Sequence, residues 1–381
     1  MDRRGFITTV GCAAATGSLW TRLLGGSASA QDAVDFALPA GDRQLGIAPA
    51  LHYEKVADNR VVCRLCPREC CVSESERGFC RVRENRGGEY FTLVHNRAST
   101  MHVDPIEKKP LFHVLPGSSA LSLATAGCNL RCRFCQNWEI SQSRPEDLDS
   151  VAATPETLLQ AAHLHEAPVI AYTYAEPTIF YEYMFDIARF TSRQGIRNVV
   201  ISNGYIQERP LRELAPHLTA YKVDLKSFTG AFYQEQCDAM LEPVLGTLRT
   251  LREIGLWTEI VTLVIPTLND DDDDNRAMFD WILLHLGPDV PLHLTRFHPT
   301  YQIRNLPRTP VATLERLHGL AKAAGLHYVY LGNVPGHVAE STYCPGCGKR
   351  VVERFGYLVT AVQIAGGRCP SCGREIPGVW S

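Results

Sequence analysis

The sequence predicts an α/β fold of parallel βα units, with cysteine-rich segments before and after it. From about residue 120 onward, short apolar segments alternate with amphipathic ones. Fourteen cysteines are many for 381 residues, and eleven of them fall into three groups. The composition is that of a globular protein, and a net charge of −3 argues against a dedicated nucleic-acid-binding protein, which would carry a basic surplus.

The predicted elements follow one another in a regular order after a first strand at residues 121–127. Further strands are expected at residues 168–177, 196–204, 219–227, 256–266, 291–299 and 326–332. Helices are expected at residues 155–166, 178–195, 208–218, 248–255, 275–287 and 311–325. Six units therefore follow the first strand, and turn signals such as Asn203-Gly204 and Gly255 fall between elements.

Polar motifs lie at or just after the ends of these strands. In parallel βα folds, ligands bind beyond the carboxyl ends of the strands, so these motifs should meet at one rim. They are AEP (175–177), SNG (202–204), DLK (224–226), IPTLND (265–270) and RFHP (296–299), together with a cysteine loop after the first strand.

That loop, AGCNLRCRFCQNW, holds Cys128, Cys132 and Cys135 with the spacing C-x3-C-x2-C. A structural zinc site or an ordinary [4Fe–4S] cluster takes four protein ligands. Three thiolates can instead bind three irons of a cubane and leave the fourth iron open to an outside ligand. The alternative is a zinc ion or a structural cluster with a fourth ligand from a distant part of the chain.

The loop spacing, with Phe134 before the last cysteine, resembles the radical S-adenosylmethionine (SAM) superfamily. The resemblance implies an open (βα)6 partial barrel, a [4Fe–4S] cluster on the loop, and SAM bound to the fourth iron. It also implies reductive cleavage of SAM to a 5′-deoxyadenosyl radical, which abstracts a hydrogen atom from a substrate.

Residues at the strand ends match the family's SAM-binding positions. Glu176 matches a carboxylate that accepts hydrogen bonds from the SAM ammonium group, although it could be an ordinary strand-end residue. Ser202 and Asn203 match a motif near the SAM ribose or carboxylate. Asp224 and Lys226 match a motif of glycyl-radical activases near the methionine carboxylate.

His298 in RFHP matches a family histidine near SAM, and His293 is the weaker candidate for that role. Both histidines could equally be strand residues satisfied by their neighbours. Val264 and Ile265 fit an apolar wall for adenine. One position departs from the pattern, because Ile201 stands where the activases often have an aspartate.

Longer stretches are similar to the radical SAM member of the AmmeMemoRadiSam system and to pyruvate formate-lyase activating enzymes. They include CRLCPRECCVSESERGFCRVREN, MHVDPIEKKPLFHVLPGS, VIPTLND and YLGNVPG, and the resemblance runs from about residue 55 to about 380. It implies Memo-type and Ammecr-type partner proteins and a low-potential electron donor, with an unknown substrate. The alternatives are an activase that acts on a protein glycine and a non-catalytic exported metal-binding protein.

The two remaining cysteine groups each have four members. The C-terminal quartet, in CPGCG and CPSCG, predicts a zinc ribbon, although a rubredoxin-like iron site has the same ligands. The N-terminal quartet, spaced C-x2-C-x3-C-x9-C, could bind zinc or an auxiliary iron–sulfur cluster, and the adjacent Cys71 could replace one ligand. The C-terminal quartet is Cys344, Cys347, Cys369 and Cys372, and the N-terminal quartet is Cys63, Cys66, Cys70 and Cys80.

The N-terminus reads as a targeting segment. Arg3 and Arg4 precede a mildly apolar stretch and an A-x-A cleavage site at residues 28–30, which resembles a twin-arginine signal. We therefore expect a periplasmic or membrane-tethered protein, or a cytoplasmic one if the signal does not function, with no later membrane span. The expected parts are residues 1–30 (signal), 31–117 (linker and N-terminal cysteine-rich segment), 118–338 (radical SAM core) and 339–381 (zinc-ribbon-like module).

Overall fold

The computed structural model describes residues 41–381, so the predicted signal with Arg3 and Arg4 lies outside the described residues. The strands are β1 (Ala48–Pro49), β2 (Tyr53–Val56), β3 (Arg60–Cys63), β4 (Cys71–Val72), β5 (Arg83–Arg86), β6 (Glu89–Thr92), β7 (Arg97–Ala98), β8 (Thr100–Pro105), β9 (Ser119–Ala124), β10 (Val151–Ala152), β11 (Val169–Tyr172), β12 (Arg197–Ser202), β13 (Ala220–Asp224), β14 (Trp257–Val264), β15 (Leu292–Arg296), β16 (Val329–Gly332), β17 (Thr342–Tyr343), β18 (Arg350–Phe355) and β19 (Leu358–Val362). The α-helices are α1 (Trp138–Ser141), α2 (Pro155–Leu164), α3 (Tyr181–Ser192), α4 (Glu208–Leu214), α5 (Gly230–Cys237), α6 (Leu241–Glu253), α7 (Asp272–His285) and α8 (Val311–Ala324). Short 3₁₀ helices occupy Ile106–Lys108, Pro145–Asp147, Pro177–Phe180, Ala215–His217 and Val338–Glu340.

The central sheet has eight strands in the order β16-β15-β14-β13-β12-β11-β9-β8. Seven of them are parallel, and β8 pairs antiparallel with β9. Each parallel strand lies beside the next one along the chain, so right-handed crossovers place the connecting helices on one face of the sheet. The alternation of strands and helices predicted from residue 120 onward is confirmed.

Two details differ from the sequence expectation. A single helical region was expected before the strand at 256–266, but the chain forms two helices there, α5 and α6. The Thr229 hydroxyl caps the start of α5 by accepting a hydrogen bond from the Phe232 backbone N–H, and Asp238 ends the helix in a left-handed conformation. In addition, β8 belongs to the segment 31–117, so the central sheet begins before the predicted core.

The two faces of the sheet are covered differently. The face toward the helices is apolar, as expected for parallel strands buried on both sides. The opposite face packs small side chains such as Ala120, Ala171 and Ala220 against Leu111 and Val114 of the segment that follows β8. We call this opposite face the inner face.

A buried polar network joins the inner face to the C-terminal region. Glu259 of β14 accepts hydrogen bonds from the His113 backbone N–H (2.8 Å) and binds His293 Nε2 (2.7 Å). His113 contacts the Tyr330 hydroxyl at 2.6 Å through Nε2, and Arg354 of β18 donates to the Phe112 carbonyl at 2.6 Å. The C-terminal strands are therefore anchored to the sheet through side chains.

Smaller sheets flank the central one. The N-terminal part forms β1-β6-β5 and β2-β3-β4, and the C-terminal part forms β17-β18-β19. None of the helices within residues 41–381 combines the length and apolar character that crossing a bilayer requires.

Candidate active site and metal centres

The three-cysteine loop begins immediately beyond the end of β9, at the predicted rim. Cys132 is buried, whereas Cys128 and Cys135 are partly buried. The Leu130 backbone N–H donates to Cys128 Sγ at 3.3 Å, and Cys135 Sγ lies 3.2 Å from the Ser141 hydroxyl. Burial raises the pKa of the Cys128 and Cys135 thiols, so an added positive charge, such as that of iron, would favour their thiolate forms.

A fourth thiol, Cys237 at the end of α5, lies behind this loop. Its backbone carbonyl accepts a hydrogen bond from the Arg131 N–H at 2.9 Å. Its side chain hydrogen-bonds to Cys132, and this bond lowers the pKa of the Cys132 thiol. Sequence reasoning left Cys237 without a role, because it is 102 residues beyond Cys135 and in no motif.

Glu176 is buried at the end of the β11 loop and holds two strand ends together. Its Oε1 accepts hydrogen bonds from the Thr178 backbone N–H (3.0 Å), the Thr178 hydroxyl (2.7 Å) and the Ser202 hydroxyl (2.7 Å). Its Oε2 accepts one from the Asn203 backbone N–H at 2.8 Å. Burial raises the pKa of Glu176, although these donors oppose the shift. A carboxylate has about four acceptor sites, so Oε2 can accept another hydrogen bond from an ammonium group.

Asn203 connects this carboxylate to the cysteine loop. Its side-chain N–H donates to Asn129 Oδ1 at 2.8 Å and lies 3.9 Å from Cys128 Sγ. Asn129 donates in turn to the Tyr205 carbonyl at 2.8 Å. The structure therefore brings together Cys128, Glu176 and Asn203, and it adds Asn129, which sequence reasoning did not assign.

Asp224 and Lys226 lie at the end of the neighbouring strand β13. Lys226 Nζ is 3.4 Å from Asp224 Oδ2, and the buried Lys222 also donates to Asp224. Burial opposes ionisation, but Lys222 and Lys226 hold the pKa of Asp224 below its usual value. Asp224 and the Cys132 thiolate keep Lys226 protonated, because they raise its pKa despite burial.

A second charged group on the inner face comes from β8 and the residues after it. Asp104 is buried, accepts hydrogen bonds from Lys109 and the Tyr174 hydroxyl, and binds Lys108 Nζ at 2.7 Å. Burial lowers the pKa of Lys109 to about 8, with Asp104 opposing the shift and Lys108 and Lys222 adding to it, so Lys109 and Lys222 are close. Asp104 and Lys222 are charged residues within mainly apolar strands. Because buried charges need partners, this pattern in the sequence could have predicted the group.

The remaining predicted residues lie in or just after the paired strands β14 and β15. His298 is exposed, and the described part of the chain offers it no hydrogen-bond partner. His293 is buried and bound to Glu259, as a satisfied strand histidine should be. Val264 and Ile265 are fully buried at the end of β14.

The C-terminal quartet forms a compact four-thiol site. Within residues 41–381 it is the group whose four sulfur atoms all lie within 4.8 Å of one another. Two Sγ pairs, Cys344–Cys372 and Cys347–Cys369, are 3.5 Å and 3.7 Å apart, close to the edge of about 3.8 Å that Zn–S bonds of about 2.3 Å give a tetrahedron. Gly348 and Gly373 close the two knuckles with positive φ angles of 71° and 75°, which glycine adopts without strain.

The N-terminal quartet lies in the hairpins β3-β4 and the turn before β5. Cys63 is buried and the other three thiols are partly buried. Burial raises the pKa of Cys66, and the nearby thiols of Cys63, Cys80 and Cys70 raise it further. Cys71 is exposed and pairs with Val62 of β3, so its side chain lies on the opposite face of this sheet from Cys63.

Comparisons with known proteins assign the class. Residues 122–279 match the Radical SAM superfamily. An uncharacterized protein of Methanocaldococcus jannaschii, MJ0808, is 43% identical over 329 residues, which are 86% of this chain and 98% of that protein. A second protein of that organism, the uncharacterized MJ0674, is 24% identical over 70% of this chain and 76% of its own length. A solved radical SAM methyltransferase from Sphaerobacter thermophilus is 17% identical, over 62% of this chain and 71% of that chain, with a TM-score of 0.46.

Residues 122–279 form a radical SAM domain, and the chain is an enzyme of unknown substrate. The family implies a [4Fe–4S] cluster and SAM, and the residues at the rim fit both groups. The loop supplies three thiols that are close enough to influence one another's pKa, and a buried carboxylate with acceptor capacity is joined to Cys128 through Asn203. Cys128, Cys132 and Cys135 would hold the cluster, and Glu176 would face SAM.

Proposed function

We propose that the chain cleaves SAM reductively and uses the resulting radical to abstract a hydrogen atom from a substrate on the inner face of the sheet. The observation that carries the proposal is the connected set Cys128–Asn203–Glu176, which joins the cysteine loop to the ends of β11 and β12. When bound, the reduced cluster and SAM would supply a 5′-deoxyadenosyl radical.

The chain's own residues would orient SAM and separate it from water. The Glu176 carboxylate is held in place by four hydrogen bonds, so it can accept a bond from an ammonium group without losing orientation. Lys226 stays cationic beside Asp224 and suits a carboxylate ligand. On the same face, Asp104, Lys109 and Tyr174 form a buried polar group that would contact the substrate.

SAM cleavage by the anaerobically reconstituted full chain tests this function. With SAM and a low-potential reductant, the chain should form 5′-deoxyadenosine and methionine. Cys132→Ser should abolish product formation, because it removes one of three cluster ligands. Cys237→Ser is the matched control, since it removes the adjacent buried thiol, and it should retain both iron and product formation.

Two results would contradict the proposal. If Cys132→Ser formed product at the wild-type rate, the cysteine loop would not be needed for SAM cleavage. Loss of cluster iron in Cys237→Ser would make Cys237 a fourth ligand and would leave no open iron for SAM.

We also propose, from the sequence resemblance, that the enzyme belongs to the AmmeMemoRadiSam system and acts with Memo-type and Ammecr-type partners. The open (βα)6 barrel, a zinc ribbon at residues 339–381 and a functional twin-arginine signal belong to the same proposal.

Replacement of Arg3 and Arg4 by lysine should abolish export by the twin-arginine route. If cell fractionation finds both the wild-type protein and this double variant wholly in the cytoplasm, the N-terminus is not a working signal.

A further inference from the structure

We propose that the N-terminal quartet binds a second iron–sulfur cluster, and that Arg83 and Tyr90 donate hydrogen bonds to its sulfur atoms. The proposal concerns a site outside the SAM-cleaving centre, and it does not depend on the activity of that centre.

The spacing of the thiols separates this quartet from the C-terminal one. A single zinc ion holds four sulfur atoms about 3.8 Å apart, because Zn–S bonds are about 2.3 Å long. The C-terminal quartet meets that spacing, whereas the N-terminal quartet is not among the groups within residues 41–381 whose ligand atoms all lie within 4.8 Å. Each cysteine of a [4Fe–4S] cluster binds a separate iron, so the ligands of such a cluster lie farther apart than the ligands of one ion.

Two buried donors beside the quartet lack partners in the protein. Arg83 and Tyr90 are each 1% exposed. Arg83 Nη2 donates to Glu182 at 2.7 Å and to the Leu51 carbonyl, but its Nε and Nη1 atoms and the Tyr90 hydroxyl have no hydrogen-bond partner. Buried donors in proteins are nearly always hydrogen-bonded, so three without an acceptor in one place indicate an occupant that accepts hydrogen bonds.

Geometry places these donors at the thiols. The Tyr90 hydroxyl and Cys70 Sγ lie 2.8 Å and 3.7 Å from the point that a Cβ on Gly78 would occupy, so both border the same space. The Arg83 guanidinium carbon is 5.3 Å from the centre of the Tyr90 ring. The Phe79 backbone N–H already donates to Cys70 Sγ at 3.4 Å, as backbone amides do around cluster ligands.

The kind of occupant follows from the number of acceptors needed. A zinc ion adds no acceptor, so the donors could reach only the four thiolates. An iron–sulfur cluster adds inorganic sulfides, which accept hydrogen bonds and whose hydrogen bonding helps to set the reduction potential.

The second site lies beside the three-cysteine loop. The Cys80 carbonyl oxygen is 2.6 Å from the point where a Cβ on Gly127 would be, one residue before Cys128. Arg131 of the loop donates to the Phe79 carbonyl at 2.6 Å. The N-terminal quartet and the three-cysteine loop, which are distant in sequence, are therefore in direct contact through their backbones and Arg131.

Metal analysis of a full chain without the loop cysteines tests the site by itself. The variant Cys128→Ser, Cys132→Ser, Cys135→Ser, reconstituted anaerobically with iron and sulfide, should retain about four irons and about four sulfides per chain. On reduction it should show the electron paramagnetic resonance signal of a cluster. Adding Cys66→Ser should remove the iron and the signal. Zinc without sulfide at this quartet, or no metal at all, would overturn the proposal.

A substitution that removes a single hydroxyl tests the donors. In the same loop variant, Tyr90→Phe should lower the reduction potential of the cluster, because it removes a hydrogen bond to sulfur. Tyr53→Phe is the matched control, since the Tyr53 ring is 5.7 Å from the Tyr90 ring but its hydroxyl binds Glu89. Equal potentials in both variants would reject Tyr90 as a donor. Because the loop cysteines are absent, failure here is distinguishable from failure of SAM cleavage.

Discussion

The C-terminal quartet and the three-cysteine loop reach their geometry in different ways. The quartet takes all four ligands from two short knuckles, and its sulfur atoms already lie within 4.8 Å of one another. The loop supplies three thiols, and its surroundings come from the ends of β11, β12 and β13 and from α5. A closed metal site can be built almost entirely by local turns, whereas an open catalytic site needs a sheet to assemble it.

Burial reinforces the contrast. Cys347 and Cys372 are exposed, so the quartet lies at the surface as a structural site can. Cys132 and Glu176 are buried, so the loop and the carboxylate beside it belong to the interior of the fold. The comparison predicts that substitutions in the C-terminal quartet mainly affect folding. Substitutions around the three-cysteine loop should mainly affect SAM binding and cleavage.

The largest effect should follow removal of two quartet ligands. Cys347→Ser with Cys372→Ser should lose one metal ion per chain, expected to be zinc, and should disorder the C-terminal strands. Structural zinc contributes about 10–16 kcal/mol of apparent binding free energy in zinc-finger peptides, so the module should not keep its fold without it. Metal analysis by mass spectrometry and hydrogen exchange across β18 and β19 would measure both effects.

Cys71→Ser serves as the control, because Cys71 is an exposed cysteine that does not belong to the C-terminal quartet. It should leave metal content and exchange unchanged. Full retention of the metal in the double variant would show that the compact thiol geometry does not bind an ion.

A smaller effect should follow Glu176→Gln. The amide would place an NH2 donor at one of the two positions where Oε1 and Oε2 now accept hydrogen bonds from Ser202 and Asn203. It would also remove the negative charge that faces the SAM ammonium. Hydrogen bonds to charged groups contribute about 1.5–3 kcal/mol, so SAM affinity should fall about 10- to 100-fold, as measured by equilibrium binding.

Glu156→Gln, a change to a carboxylate in the first turn of α2, should leave SAM affinity unchanged. Glu176→Gln should also leave the metal content of the C-terminal quartet unchanged. Wild-type affinity in Glu176→Gln would exclude the carboxylate from SAM binding.

The smallest effect concerns His113, which links the sheet to the C-terminal region. Burial lowers the pKa of His113 to about 4, and the nearby Arg354 and His293 lower it while Glu259 opposes them. Between about pH 6.5 and pH 4 the unfolded chain therefore binds a proton that the folded chain does not, so stability falls as the pH falls. From pH 7 to pH 5.5 the loss should be about 1 kcal/mol.

Thermal unfolding of wild type and His113→Gln at both pH values measures that contribution. Loss of metal in acid affects both proteins, so the difference between their pH dependences isolates His113. Identical pH dependences would show that His113 does not titrate on unfolding.

The sequence by itself determined the order of strands and helices and the three cysteine groups. These features are local: apolar periodicity defines each element, and cysteine spacing defines each knuckle or loop. It also placed Glu176, Ser202 and Asn203 at strand ends, and the rule that parallel strands end at one rim was sufficient to bring them together. His298 follows the end of β15 with an exposed side chain, and its position near SAM stays a prediction.

Only the tertiary structure decided which distant residues meet. Asp104 reaches Tyr174 across 70 positions because β8 pairs with β9 in a register that puts Asp104 opposite Ala120. Cys237 lies behind Cys132 because α5 packs against the loop. The free donor atoms of Arg83 and Tyr90 lie together because β5 and β6 pair beside the N-terminal quartet. Each contact depends on strand register and helix packing across the whole chain, which no local pattern specifies.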